Sequence, residues 1–574
     1  MTTETDRSPR RIADEALARL STGEAVWART DNARRRDLLA RLGDLAAEHA
    51  VEWVETAARI KGLDAASPLL GEEWISGPWA VVGYARALGK TLDRLSRGQD
   101  ALGTTRLRRA PGGRLAVPAL PANGYDRLLL SGFSADVWLE PGVTETEARA
   151  SAGLGARNTE ETDGTTLVLG AGNIFSIAPM DVLYALHADN RAAVLKLNPV
   201  TDPLLPVLRK ILAPYVELGV VEIVCGGADV GSALADDDRI TAVHMTGSER
   251  THDAIVWGTG ASGDEARAAG TPRLTKPITS ELGGVSPAIV VPGRWSRADL
   301  EFQARHVATQ RLHNAGANCI ATQVVVVSAD WDQKDAFLDA LRRALADAPH
   351  RPVWYPGGED RVAAAREQHP DRCTALGGAP GRVLLGPLDP ADRDEPAYTS
   401  EYFAPVVAVT ELPGLGADFL RGAVVHANDV LRGTLGANIV IDPATRSRMG
   451  EEFETLLADL RYGTIGVNAW TGVGYLTPYA SWGAFPGHTL DDVQSGIGVV
   501  HNAFLLDRAE RTVVRGPFRP SPRSLLHGEW SLSPKPPWFV DNRTAATTGR
   551  RLVSFQSRPR ISTLPGIFAS ALRG

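Results

Sequence analysis

"TTLVLGAGNIF", residues 165–175, sets a short apolar run, Thr165–Leu169, directly before a glycine-bearing turn, the order in which a strand runs into a loop at its C-terminal end. Three more runs of this kind follow, Ala193–Leu197, Val221–Val224 and Ile240–Met245. Helical stretches near Asp181–His187, Pro203–Tyr215 and Val230–Ala235 alternate with them. This alternation predicts an open parallel sheet, because parallel neighbours need a crossover long enough to hold a helix. Sheets of that kind bind nucleotides beyond the C-terminal ends of their strands. The dinucleotide fingerprint G-x-G-x-x-G is incomplete: residues 169–175 supply only its first two glycines, Gly170 and Gly172, a weak signal by itself.

Outward from this core the pattern restarts after Thr275. A Gly-rich turn at Glu281-Leu282-Gly283-Gly284 precedes a strand at Ala288–Val291, a helix around Leu300–Arg311, the stretch "HNAGANCIAT" (313–322), a strand at Gln323–Val327 and a helix at Gln333–Leu345. A second α/β domain is expected here. Residues 348–397 read as loop-rich, Val406–Thr410 and Ala437–Ile441 as strands, and Met449–Arg461 as a helix. On the N-terminal side, residues 8–60 read as amphipathic helices, with Leu38, Leu39, Leu42, Leu45 and Ala46 on one face. From Leu102 to Val143, apolar runs divided by Gly and Pro predict β-hairpins that project from the body, with Trp138 and Leu139 as packing residues. The tail from Gly516 carries Pro517, Pro520, Pro522, Pro534, Pro536 and Pro537 and is expected to be extended.

Composition narrows the function classes. The 574 residues, 44% hydrophobic and 22% charged, can bury more than one core. No apolar segment opens the chain, and the most apolar window, Thr165–Leu186, is broken by Asn173, Pro179 and Asp181. Neither a signal peptide nor a membrane span is expected, and the cytoplasm is the expected compartment. The three cysteines, Cys225, Cys319 and Cys373, are spaced for neither a disulfide framework nor a zinc site, so no metal is expected and any cysteine chemistry uses a free thiol. The net charge of −7 is uneven: residues 516–574 hold eight Arg and one Lys against Glu529 and Asp541, leaving about −14 on the rest. That complementarity predicts a tail lying on the acidic body or on a sister subunit, with no nucleic acid partner.

Five features stand in order: Asn173 after a strand, Lys196 inside "VLKLNP", "HMTGS" (244–248) ending a strand, Glu281 in "ELGG", and Cys319 in "NAGANCI". Singly, each has a plain structural reading as a turn residue, a helix-end turn or a core thiol. Together with "EYFAPV" (401–406), they resemble the aldehyde dehydrogenase superfamily from about Arg34 to Leu506, leaving the tail after Gly516 outside the resemblance. It implies a Rossmann-like cofactor domain (1–100 and 144–280), a catalytic domain (281–480), a β-hairpin oligomerisation arm (101–143 and 490–515), and here an added C-terminal extension (516–574).

The resemblance also implies roles. Cys319 is the nucleophile, Asn173 the side-chain donor to the oxyanion, and Glu281 the base that activates water. Lys196, Thr246, Gly247, Ser248, Glu401 and Phe403 belong to the cofactor site, for NAD or NADP. The chemistry calls for such a set, since a thiolate adduct turns an aldehyde into a hydride donor and the thioester left behind needs an activated water. The implied reaction is oxidation of an aldehyde to a carboxylic acid. Two other readings are a CoA-acylating reductase, whose relatives generally lack the glutamate, and a non-catalytic partner-binding protein on this fold.

Departures from the family pattern are visible. Pro199 replaces the acidic residue common in NAD-preferring members, Gly172 the tryptophan before the asparagine, and His252, read as a solvated helix residue, a glycine. An extra stretch spans about Trp257–Thr271. "GTIGVNAWTG" (463–472) resembles the family's G-x-V-x-V-N stretch. It leads to Trp470, Tyr475, Tyr479 and Trp482, a cluster compatible with a hydrophobic aldehyde. "SWGAFPGHTLDDVQSG" (481–496) departs from the expected motif and marks a divergent branch. The strand-like residues 496–514, with the hairpins of 102–143, predict a homodimer or homotetramer, because an exposed pair of long strands needs a partner.

Overall fold

The computed structural model describes residues 8–162, 164–376 and 381–574; the extreme N-terminal stretch, residues 1–7, and part of the loop-rich region lie outside them. Two sheets organise the chain. The first has six strands, in the order 496–497, 278–282, 240–247, 165–169, 192–196, 221–224. All are parallel except Gly496–Ile497, which runs antiparallel to Ile278–Leu282. Helices Ile177–His187 and Ala228–Ala235 are crossovers between its strands. The expected alternation is met to within a residue or two at each strand. The difference is at 281–282: Glu281 and Leu282 are the buried last residues of a strand rather than part of a turn. The boundary expected at 280/281 therefore falls inside that strand, because Thr246 and Gly247 extend their own strand to pair with Glu281 and Leu282.

The second sheet has eleven strands, in the order 108–110, 114–120, 134–139, 509–515, 464–467, 436–440, 286–290, 322–328, 406–412, 383–388, 373–375. Its middle is parallel, and strands 286–290, 322–328 and 436–440 are buried along their whole length, as suits a sheet covered on both faces. The 102–143 segment does not project. Its strands continue the sheet through Ala509–Arg515, which pairs with Ser134–Leu139 on one side and Thr464–Val467 on the other. Trp138 and Leu139 are buried there. The strand-like residues 496–514 are three strands in three different sheets. Left-handed backbone at His501, Asn502, Leu505 and Arg508 turns the chain between them. The exposed strand pair behind the oligomer expectation is thus satisfied within the chain.

The tail differs from the extended chain expected of it. Residues 516–544 are largely irregular, but Ala545–Ser557 and Leu564–Ala571 are helices. The prolines cluster before Trp538, and beyond them Val553, Phe555, Leu564 and Ile567 form an apolar stripe buried against the body. The charge expectation holds: Arg519 and Arg523 both pair with Asp299 of the body. Among the described residues no helix is long and apolar enough to cross a membrane.

Candidate active site

Helix Arg297–Leu312 delivers the chain to the loop that carries Cys319. At its end Asn314, Ala315 and Gly316 take φ of 55°, 56° and 75° in succession, a left-handed run that needs outside support where a side chain is present. Support comes from buried Arg311. Its guanidinium donates to the carbonyls of Gly316 (3.2 Å), Ala321 (3.3 Å) and Ala404. A Cβ on Gly316 would lie 2.6 Å from the Ala404 backbone, so only glycine fits. Asn314 closes the loop: its amide donates to the carbonyls of Ala317 (2.7 Å) and Asn173 (3.1 Å), while its backbone N–H donates to buried Glu72 (2.9 Å).

All nine residues expected at the site line one cavity of about 840 Å³ at the strand ends of the first sheet. Cys319, Glu281 and Asn173 are buried in its lining. The Asn173 side chain donates to the Ala317 carbonyl, 3.2 Å away and two residues from the sulfur. Burial raises the Glu281 carboxyl from 4.5 to about 7, partly offset by the Cys319 thiol and the Trp482 indole that face it. Burial pushes the Cys319 thiol up as well, and the charge of Glu281 adds to this. The pair therefore favours a protonated thiol beside a carboxyl able to take its proton at neutral pH.

Elsewhere in the lining, Lys196 ends its strand with its ammonium pKa lowered by burial. Ser248 caps helix Glu249–Val256, its hydroxyl accepting from the Thr251 N–H at 3.2 Å. Glu401 lies against Gly283, where a Cβ would come within 2.1 Å of the carboxylate. Burial lifts its carboxyl to about 8, offset in part by Arg311. Phe403 packs edge-on to Tyr355. At Gly172 a Cβ would sit 2.8 Å from the Asn198 side chain, which would have to shift. His252 is not solvated: it is fully buried on the inner face of its helix, and burial lowers its pKa.

Behind Glu281 lies a buried polar cluster that the sequence did not reveal. Asp181 accepts from the Thr246 hydroxyl (3.2 Å) and faces His244 (3.5 Å) and His501 (3.6 Å). Burial alone would raise its pKa, but the two imidazoles outweigh that and hold it below the usual carboxylate range. These three residues are 63 and 257 positions apart along the chain, so no local motif marks them. Arg311 and Asn314 carried a fainter signal, a polar pair flanking a glycine-bearing loop inside otherwise buried sequence.

An aldehyde dehydrogenase family model matches residues 174–353. A succinate-semialdehyde dehydrogenase [NADP(+)] of Mycobacterium avium is 28% identical over 254 residues, covering 41% of this chain and 47% of that protein. A dimeric NADP-preferring aldehyde dehydrogenase of Mus musculus is 27% identical over 200 residues, 33% of this chain and 40% of that protein. The chain thus spans about half the length of the curated relatives it matches, or less. Among solved structures, an aldehyde dehydrogenase from Pseudomonas aeruginosa superposes with a TM-score of 0.58 at 18% identity, covering 88% of both chains. An indole-3-acetaldehyde dehydrogenase in complex with NAD+ gives 0.58 at 17% identity over the same shares; these likenesses show the fold. Residues 174–353 thus match the aldehyde dehydrogenase family, and the chain shares the fold of solved aldehyde dehydrogenases.

Proposed function

We propose that the protein oxidises an aldehyde to a carboxylic acid with NAD or NADP, through a thioester on Cys319. The observation that carries this reading is the meeting of a thiol, a carboxyl with its pKa near 7 and a side-chain amide in the lining of one cavity among glycines and strand ends. Glu281 takes the thiol proton, which it passes to solvent before hydrolysis, and the thiolate adds to the carbonyl carbon. The oxyanion then formed accepts from the Asn173 amide, which must swing from the Ala317 carbonyl; such a donor contributes ~3–4 kcal/mol to the transition state. The dinucleotide, when bound, supplies the hydride acceptor. Collapse of the tetrahedral adduct leaves an acyl thioester, and Glu281 removes a proton from the water that attacks it, releasing the acid and restoring the thiol.

The donor set fits a dinucleotide. Lys196 and Glu401 suit ribose hydroxyls, and the Ser248-capped helix start suits a pyrophosphate. Pro199 after "KLN" leaves both cofactors open, and the Mycobacterium avium relative is described as NADP-dependent. Glu281 within reach of the sulfur favours water over coenzyme A as acyl acceptor. The reading includes the division into cofactor domain, catalytic domain, arm and extension. It also includes a homodimer or homotetramer, supported by the dimeric description of the Mus musculus relative, and a cytoplasmic location, supported by three free cysteines. The test is aldehyde-dependent NAD(P)H formation by the wild type and Cys319→Ser; undiminished activity in the variant overturns the mechanism.

A further inference from the structure

The left-handed run that carries the chain from helix Arg297–Leu312 toward Cys319 turns on Asn314. His313 leaves the helix with ψ of 131°, and the Asn314 N–H finds its acceptor outside the helix, in the Glu72 carboxylate at 2.9 Å. The side chain of Asn314 is engaged as well. Its amide donates to the carbonyls of Ala317 and Asn173, and its oxygen accepts from the Trp354 indole N–H at 3.2 Å. One residue thus ties the backbone of Asn173 to the loop of Cys319.

Glu72 comes from far off in the chain, in the short helix Leu70–Trp74, 242 positions before Asn314. It is buried, and Arg351 meets the same carboxylate oxygen at 2.5 Å. Burial alone would raise the Glu72 pKa, but Arg351, with His313, outweighs that and holds it below the usual carboxylate range. A second buried pair lies next to it: Lys61 and Glu73 meet at 2.8 Å, and the Lys61 ammonium stands over the rings of Phe175 (4.5 Å) and Trp354 (5.1 Å). Enclosed ion pairs are a costly way to hold a fold, since apolar side chains of similar volume commonly stabilise as well or better. What an apolar substitute does not supply is an acceptor for the Asn314 N–H.

We propose that Glu72 is a positioning residue for Cys319: its carboxylate, held by Arg351, fixes Asn314, and through it both the loop that carries the sulfur and the backbone of Asn173. This rests on the oxidation reading above and adds a working part that lies outside the cavity of the site. A hydrogen bond from a backbone N–H to a carboxylate is about twice as strong as a neutral one, which suits a loop whose residues 314–316 are all held at positive φ.

The experiment removes the charges first and the acceptor second. One double variant, Glu72→Gln with Arg351→Met, lacks both charges and keeps an oxygen facing the Asn314 N–H; the other, Glu72→Leu with Arg351→Met, lacks the acceptor too. With propanal, the first is expected to keep kcat within about threefold of wild type. The second should lose ~10²-fold in kcat with KM little changed, as a reacting group displaced by about 1 Å does. Equal kcat in the two double variants overturns the positioning role and leaves the oxidation reading standing. Alkylation by iodoacetamide, read on the Cys319 peptide by mass spectrometry, needs neither aldehyde nor dinucleotide. Burial and the Glu281 charge hold the Cys319 thiol above its ordinary range. The alkylation midpoint should therefore stay high in wild type and in the first double variant, and fall toward the free-thiol value of about 8.5 in the second, whose loop releases the sulfur. That fall upholds the proposal even if no aldehyde is oxidised, a result that would sink the oxidation reading alone; an unmoved midpoint overturns it. If the second double variant does not fold, Glu72→Asp takes its place, since it keeps the charge but draws the carboxylate back by one methylene: a kcat loss of about tenfold is expected, and wild-type kcat overturns the proposal.

Discussion

Two cavities of the molecule differ in what makes them. The one at the strand ends is drawn tight by glycines: residues 172 and 283 stand where a Cβ would collide with Asn198 or Glu401, and the ionisable groups Lys196, Glu281 and Glu401 lie on its walls. The other, of about 460 Å³ between the body and the tail, is built of side chains, aromatic rings from the body facing aromatic rings from residues 538–568. A site drawn tight by glycines fixes reacting atoms and tolerates little change, whereas a side-chain-built site can be resized by single substitutions. Ionisable groups thus gather at the strand ends, and aromatic rings beneath the tail.

Perturbations of the two regions should therefore separate, and the largest belong to the first. Cys319→Ser is expected to lower kcat/KM about 10⁴-fold with every aldehyde, measured as NAD(P)H formation. Glu281→Gln should slow steady-state turnover roughly 10³-fold while leaving a burst of reduced cofactor, since losing the Glu281 charge, which raises the thiol pKa, offsets for acylation but not for hydrolysis the loss of the base. In the wild type, kcat should rise with pH through about 7, the range in which buried Glu281 loses its proton; a profile flat from pH 6 to 8 would contradict its role as base.

The same carboxyl has a stability signature. Its folded pKa of about 7 lies above the ordinary 4.5, so the folded state holds the proton more tightly, and stability falls as pH rises from 4.5 to 7. That difference corresponds to about 3 kcal/mol. Glu281→Gln should accordingly raise the melting temperature at pH 8 and change it little at pH 4.5. Asn173→Ala should cost ~10²–10³ in kcat, irrespective of the aldehyde. Smallest is Asp299→Asn, which removes the partner of Arg519 and Arg523 and weakens the capping box at Ser296. A stability loss of about 1–3 kcal/mol is expected in denaturant unfolding.

The strands of both α/β units were legible because short apolar runs between glycines leave few alternatives, and the nine residues that line one cavity were picked out by the order of their motifs along the chain. What escaped was whatever depends on distant pairing. Glu281-Leu282 reads as a turn until Thr246-Gly247 is laid beside it. The 102–143 hairpins read as projecting until Ala509–Arg515 fills the gap between them and Thr464–Val467. The prolines of the tail conceal two helices whose apolar stripe has meaning only against the body. Asp181, His244 and His501 each look ordinary, and their proximity behind Glu281 is a property of the fold alone.

Asp299 lies in the first turn of the helix that leads into the Cys319 loop. Sixteen residues at ~1.5 Å each make that helix a rod about 24 Å long, held at one end by two arginines of the tail and leading into the Cys319 loop at the other. A protease nick near Arg523 would therefore act as a remote lesion. The sulfur would lose its alignment without any bond near it being cut, and thiol alkylation kinetics after limited proteolysis would register the change.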